Sequence, residues 1–302
     1  MIMTDSPIRF PGLFGDWAFT ASSKAINIGN GIYWYGIIIA CGLLLAVAFC
    51  LRQRKHYGIS EDDLMDCILW GIPCGIIGAR LYYVIFYLDL FRDADGKFNW
   101  GKAVAIWDGG LAIYGAVIAV VILAVIMAKR KGFKLCALTD LVVMGLLIGQ
   151  IVGRWGNFMN REAFGTETTV FCRMQLTLKT GELIEVHPTF LYESLWNLVG
   201  LLLIVLIVAK HRRFDGENTL CYFLWYGLGR FWIEGLRTDS LYDWTIGGAP
   251  IRVSQALSAV MVLVSAFLLV WNLWVKPHKP EELYVNIVAA REAAKAEETP
   301  EE

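Results

Sequence analysis

A chain of 302 residues, 57% of them hydrophobic, with a mean hydropathy of +0.51, carries more apolar surface than a soluble globular domain can bury, which excludes that class. Its 27 basic and 28 acidic side chains sum to a formal net charge of -1, so their placement says more than their total. The seven cysteines fall mostly inside apolar segments (Cys41, Cys50, Cys67, Cys74, Cys136, Cys221), with Cys172 alone in a polar stretch; that distribution suits packed thiols and gives neither a disulfide framework nor metal-ligand spacing.

Residues 1–31 contain Pro7, Pro11 and scattered aromatics such as Phe10, Phe14 and Trp17, without the charged start and apolar centre of a signal peptide. They are expected to form an extracytoplasmic segment lying on the membrane interface. A first membrane span is predicted over about 32–51, followed by Arg52, Arg54 and Lys55. The second, about 64–90, is long enough to tilt and holds Pro73 and Arg80 in its interior. The third, about 111–128, runs into Lys129, Arg130 and Lys131, and the fourth, about 135–151, leads into a polar motif.

Between about 157 and 187 the chain turns polar, and alternation over 174–178 followed by Lys179, Thr180 and Gly181 predicts a small extracytoplasmic lobe with a hairpin. Spans five (about 189–209), six (about 220–236) and seven (about 253–275) follow, the fifth closed by Lys210, His211, Arg212 and Arg213 and the seventh by Lys276. The expected architecture is an all-α polytopic membrane protein with seven transmembrane helices over 32–275 and a charged cytoplasmic tail over 276–302. Basic clusters after the odd-numbered spans put the N-terminus outside and the C-terminus in the cytoplasm.

Charge inside such apolar segments requires a reason, because an arginine at the bilayer centre costs about 2.5 to 3.5 kcal/mol on insertion scales. The motif GRWGNFMNREAFG sets Arg154, Asn157, Asn160, Glu162 and Gly165 at the outer end of span four. Read structurally, it is a polar knot with Arg154 paired to Glu162. In WYGLGRFWIEGLR, spacings of four and three put Arg230, Glu234 and Arg237 on one helical face, so Glu234 can hold either arginine while the other stays available to an anion. An internal salt bridge is the alternative. In GARLYYVIFY, Arg80 has the faces of Tyr83 and Tyr87 within reach, or it snorkels outward. WDGGLAIYGAV holds Tyr114, HPTFLYE runs from His187 to Glu193 with Pro188 in a first helical turn, and YWYG holds Tyr35.

Taken together and in this order, these motifs closely resemble the signature of the bacterial prolipoprotein diacylglyceryl transferases. The resemblance extends from span one to span six. It implies a multi-pass enzyme of the bacterial cytoplasmic membrane whose active site faces the outer leaflet. It also implies Arg154, Asn157 and Arg230 near a lipid headgroup, Glu234 as an orienter, and Arg80, Tyr35, Tyr226, Asn160, Glu162 and Gly165 as matching positions around it. Tyr192 and Glu193 are implied as supporting residues. One departure stands out: the family's histidine before Gly-Gly is replaced here by Tyr114, Gly115, Ala116. A tyrosine with an ordinary pKa of about 10 donates rather than accepts near neutrality, which leaves His187 as another candidate proton acceptor.

The implied reaction joins phosphatidylglycerol and the lipobox cysteine of a prolipoprotein signal peptide, giving a diacylglyceryl thioether and glycerol phosphate, with no metal or soluble cofactor. Membrane lipids are the remaining partners, and none is a nucleic acid. A lipid transporter or flippase is the rival class, since intramembrane arginines also line substrate paths; the chain shows no internal repeat in its favour.

Overall fold

The structure is a computed structural model that describes residues 2–3, 5–27, 31–93, 95–238, 242–246 and 249–298; the last part of the charged tail, 299–302, lies outside the described residues. Eight helices carry the architecture: α1 (Trp34–Gln53), α2 (Glu61–Phe86), α3 (Ile113–Lys131), α4 (Leu135–Asn160), α5 (Thr189–Leu203), α6 (Glu217–Leu236), α7 (Val253–Val270) and α8 (Tyr284–Glu298). Helical turns continue α5 to His211 and α7 to Val275.

Among the described residues six helices are long and apolar enough to cross a membrane: those built on α1 to α5 and on α7. The count of seven from the sequence is therefore not reproduced by this measure. The helix at the sixth predicted crossing, α6, is present with 20 residues, but Arg230, Glu234 and its aromatic side chains lower its hydropathy. The all-α polytopic membrane fold stands.

The chain divides into two compact units, one of Met1–Gln53 with Thr139–Ile287, the other of Arg54–Leu138 with Val288–Glu302. In the second unit α2 packs closely on α3. Its start is set by Ser60, whose hydroxyl accepts from the Asp63 amide at 3.0 Å, with Glu61, Asp62 and Asp63 in the first turn where the helix dipole favours anions. At the end of α3, Lys131 reaches Asp63 at 3.0 Å and also pairs with Asp66. Gly132 then closes the helix in the left-handed conformation, φ 78°.

In the first unit a four-stranded antiparallel sheet, in the order β2 (Ala18–Phe19), β1 (Ile8–Arg9), β5 (Met174–Thr177), β6 (Leu183–Val186), joins the N-terminal segment to the polar lobe. Two further strand pairs, β3 (Lys24–Ile26) with β4 (Ile32–Tyr33) and β7 (Tyr242–Ile246) with β8 (Ala249–Arg252), flank α1 and α7. The β5–β6 hairpin pairs Met174 with Val186 through to Thr177 with Leu183, so alternate side chains turn to one face. That face is apolar: Ile8, Phe10, Met174, Leu176 and Val186 bury themselves with Phe158 and Met159 from α4 and Phe190 from α5. Within the first 31 residues, strands β1 and β2 and the side chains of Ile8 and Phe10 complete the core of the lobe.

Arg161 fastens this arrangement. It is 3% exposed, sits at φ 53°, and donates to the carbonyls of Ser6 (3.0 and 2.8 Å), Met159 (2.7 Å) and Ala21 (2.7 Å), so the end of α4 is stitched to the N-terminal segment.

Candidate functional site

The site grows from the crossing of α4, α5 and α6 in the first unit. Trp155 of α4 donates to the Ser194 hydroxyl of α5 at 3.2 Å, and Ser194 donates back to the Ile151 carbonyl at 3.1 Å. Those two bonds fix the register of their neighbours, Arg154 and Glu193. Across the other face of α5, Trp196 and Trp225 lock α5 to α6, which brings Arg230 and Glu234 alongside.

Glu193 is the hub. Arg154 contacts its Oε2 at 2.5 Å, while Arg230 and Arg237 reach its Oε1 at 3.1 and 3.7 Å; Arg230 also pairs with Glu234 at 2.5 Å. The two carboxylate side chains are only 4% exposed, whereas the three guanidinium side chains keep 14 to 21% of their surface open. The anions are therefore buried beneath the cations, and the group of three guanidiniums and two carboxylates has one positive charge in excess. Arg154 and Arg230 each have five donors and spend only part of that fork on carboxylate and amide oxygens, which suits them to a further anion. Such a group would be expensive to bury if any partner were missing, and in compensation it is rigid.

The motif at the end of α4 continues outward from Arg154. Its Nη1 donates to Asn157 Oδ1 at 3.4 Å, and both Asn157 (2.9 Å) and Asn160 (3.3 Å) donate side-chain amides to Glu162. The direct Arg154–Glu162 pairing considered from the sequence is thus replaced by Arg154–Glu193, with Glu162 satisfied by two amides. The reason is helix packing, which delivers a buried carboxylate from 39 residues further along the chain.

Gly165 holds three segments together. Its amide donates to the His187 carbonyl at 2.9 Å, and a Cβ at this position would stand 2.7 Å from His187 Cβ and 2.9 Å from the Leu236 carbonyl. With no room for a side chain, its contribution is close approach of backbones. Tyr35 of α1 lays its ring on Gly156, where a Cβ would come within 2.8 Å of the ring. Tyr226 stacks on Tyr222 with centroids 5.5 Å apart and lies in the electrostatic reach of Arg230, Arg154 and Glu193.

His187 lies just before α5. Burial lowers its pKa below the ordinary 6.5, so the ring is neutral at pH 7. Its Nδ1 is 3.2 Å from the Tyr192 hydroxyl, which is in turn 3.3 Å from Cys172 Sγ. When Nδ1–H donates to Tyr192 and Tyr192 donates to Cys172, the Nε2 lone pair is left free to accept a proton.

Arg80 and Tyr114 belong to the other unit. Arg80 is 8% exposed and all five of its N–H donors are committed to carbonyl oxygens: Ala103 (2.9 Å), Gly109 (2.5 Å), Gly110 (2.9 Å), Lys102 (2.7 Å) and Ala105 (3.0 Å). Its guanidinium lies over Tyr83 and Phe91, at 6.0 and 5.2 Å, rather than over Tyr87 as the spacing suggested. Tyr114 is 45% exposed and is near Tyr82, with centroids 6.4 Å apart.

The sequence reading gave Glu193 only a supporting part and missed Arg161 altogether. For Glu193 a signal was present, since an acidic residue within an apolar span needs a cation. For Arg161, one more basic residue in an already polar motif gave none.

The sequence profile described as prolipoprotein diacylglyceryl transferase matches residues 23–271. Relatives named phosphatidylglycerol–prolipoprotein diacylglyceryl transferase include those of Listeria innocua, 41% identical over 82% of this chain and 88% of its own length, and of Lactobacillus delbrueckii subsp. bulgaricus, 41% identical over 82% and 90%. That of Finegoldia magna is 40% identical over 80% of this chain and 91% of its own. With α1 to α7 inside the matched region and identity of this level across most of both sequences, the chain belongs to the prolipoprotein diacylglyceryl transferase family.

Proposed function

We propose that this protein transfers the diacylglyceryl group of phosphatidylglycerol to the cysteine thiol of a prolipoprotein. The observation that carries this reading, beside the family, is the set of partly open guanidiniums of Arg154, Arg230 and Arg237 pinned on buried Glu193 and Glu234. A preformed cationic surface with its counterions behind it suits a phosphodiester.

In the proposed reaction the thiol sulfur attacks the glycerol carbon that bears the phosphate ester. The carbon–oxygen bond breaks, a thioether forms, and glycerol phosphate departs with the bonding electrons. Because the carbon is saturated there is no acyl oxyanion to stabilise; the charge that grows is on the departing phosphate, and Arg154 and Arg230 are positioned to meet it. Asn157 and Asn160, held by Glu162, add amide donors at the rim, while Tyr35 and Tyr226 wall the headgroup.

A free thiol of pKa about 8.5 is only a few per cent ionised at pH 7, so the attacking sulfur needs a base. We assign that part to His187, whose neutral ring has a lone pair available, and give Tyr114 the part of a hydrogen-bond donor. Arg80 acts by holding the loop of residues 102–110 in shape.

The basic clusters at the ends of α1, α3, α5 and α7 support an outside N-terminus with α6 as a seventh crossing, which orients the arginine group to the outer leaflet. The lipobox of the signal peptide then presents its cysteine from the same side. The test uses purified full-length protein with phosphatidylglycerol and a lipobox peptide: a thioether-linked product supports the reading, and unchanged lipid and peptide, or an Arg230→Lys variant as active as the parent, overturn it.

A further inference from the structure

The helix that begins beside the arginine group, Thr189–His211, has 23 residues and so runs roughly 34 Å at 1.5 Å per residue, enough to cross a hydrocarbon core about 30 Å thick. At its far end, where the extension of α7 also stops at Val275, the same unit contains a basic cavity of about 310 Å³. Arg212, Arg213, Asn272, His278 and Leu283 are among its lining residues.

The two arginines differ. Arg212 is 5% exposed in its side chain and is balanced by Asp140 and Asp215, each at 3.7 Å, so it belongs to the frame. Arg213 is exposed; its backbone amide donates to Glu217 at 2.6 Å, but among the described residues its guanidinium has no carboxylate partner. The opposite wall is preset: His278 stacks on Phe214 with centroids 5.0 Å apart and is held by Asn272 at 3.0 Å and Glu282 at 3.4 Å. Lys210, Lys276 and Lys279, each within two residues of a lining residue in the chain, are exposed.

We infer that this cavity binds the phosphate of an anionic phospholipid headgroup from the leaflet opposite the arginine group. A guanidinium without a carboxylate partner among the described residues, with exposed lysines next to the lining in the chain, provides for a phosphate anion. Leu273, Leu283, Pro277 and Pro280 supply an apolar lining suited to the glycerol and ester region of a lipid. Trp271 and Trp274, 47 and 84% exposed on the adjoining end of α7, have the amphipathic character that favours the membrane–water boundary. These apolar and aromatic neighbours favour a lipid over free phosphate. The inference goes beyond the transferase reaction, because the cavity is a helix length away from the residues assigned to it.

Native mass spectrometry of the full chain in neutral detergent, with added phosphatidic acid or phosphatidylcholine, tests it. The parent protein is expected to retain a phosphatidic acid that Arg213→Glu/Lys279→Glu loses, with phosphatidylcholine bound weakly and equally by both. An Arg230→Lys protein should still retain lipid at this cavity, and thioether formation by the double variant should be unchanged, so the outcome separates from the fate of the transferase assignment. Equal retention by parent and double variant overturns the site, and displacement of the lipid by millimolar inorganic phosphate alone overturns its assignment to a lipid. Should the double variant lose its thermal transition in neutral detergent, the single Arg213→Gln protein replaces it and is read by the same criterion.

Discussion

Trp196 and Trp225 donate their indole N–H groups to each other's main-chain carbonyl, at 2.9 and 2.8 Å, with their rings stacked 4.5 Å apart. Trp196 lies three residues past Glu193 and Trp225 five before Arg230, so this exchange sets the register in which the hub carboxylate meets its arginines. Gly200 makes room for it, since a Cβ there would be 2.6 Å from Trp225 Nε1. Gly200→Ala is expected to lower the melting temperature in detergent, by an overpacking cost of about 1 to 3 kcal/mol. Activity should fall with it. Thermal unfolding unchanged from the parent would contradict this role.

Glu193→Gln keeps the side-chain shape but takes the shared counterion from beneath three guanidiniums. Removing one partner of a buried ion pair typically costs about 3 to 5 kcal/mol, through the charge left uncompensated. Turnover should drop by roughly 100-fold or more, which corresponds to about 2.7 kcal/mol in the barrier. Glu193→Asp, which retains the charge on a shorter stem, should lie between. A Glu193→Gln protein with parental turnover and stability would remove the hub from the mechanism.

The pH profile tests His187. Because burial lowers its pKa from 6.5, the folded protein should keep an acceptor at pH 7 and lose activity as pH falls through that lowered value. The same shift has a stability consequence of fixed sign: the unfolded chain binds the proton more readily, so this stabilisation is complete above about pH 6.5 and is lost toward lower pH. In His187→Gln the acidic limb of kcat/KM should disappear, leaving a low, flat rate. A limb that persists unchanged in that variant assigns the proton elsewhere.

Arg80→Lys exchanges five fixed donors for a compact ammonium with three, and leaves buried carbonyls of residues 102–110 without partners. Each such group costs about 1 to 3 kcal/mol. The expected result is a large loss of thermal stability and of protease resistance in this loop. Parental stability with only a raised KM for phosphatidylglycerol would instead indicate direct lipid contact.

Arg161→Met removes the fastening between α4 and the N-terminal segment without touching the arginine group. Cleavage within residues 5–27 by added protease should become faster, and turnover should fall less than in Glu193→Gln. Unchanged cleavage would show that the sheet alone holds the segment.

The sequence by itself determined the class and the family. Long apolar runs admit few solutions other than membrane helices, since a bilayer leaves backbone groups no partner but their own helix. Arg154, Arg230 and Glu234 were conspicuous because charge in such runs demands compensation. The β5–β6 hairpin was legible from local alternation.

What only the tertiary structure decided is which partner each charge takes. Arg154 had Glu162 within its own motif, yet it pairs with Glu193, and Arg80 keeps Tyr83 but takes Phe91 in place of Tyr87 and spends its donors on five carbonyls of a neighbouring loop. Periodicity reports one helix at a time, whereas an ion pair between helices depends on the register in which they pack. Here that register is set by bonds such as Trp155–Ser194 and Trp196–Trp225, whose partners lie 39 and 29 residues apart and leave no mark in the local sequence.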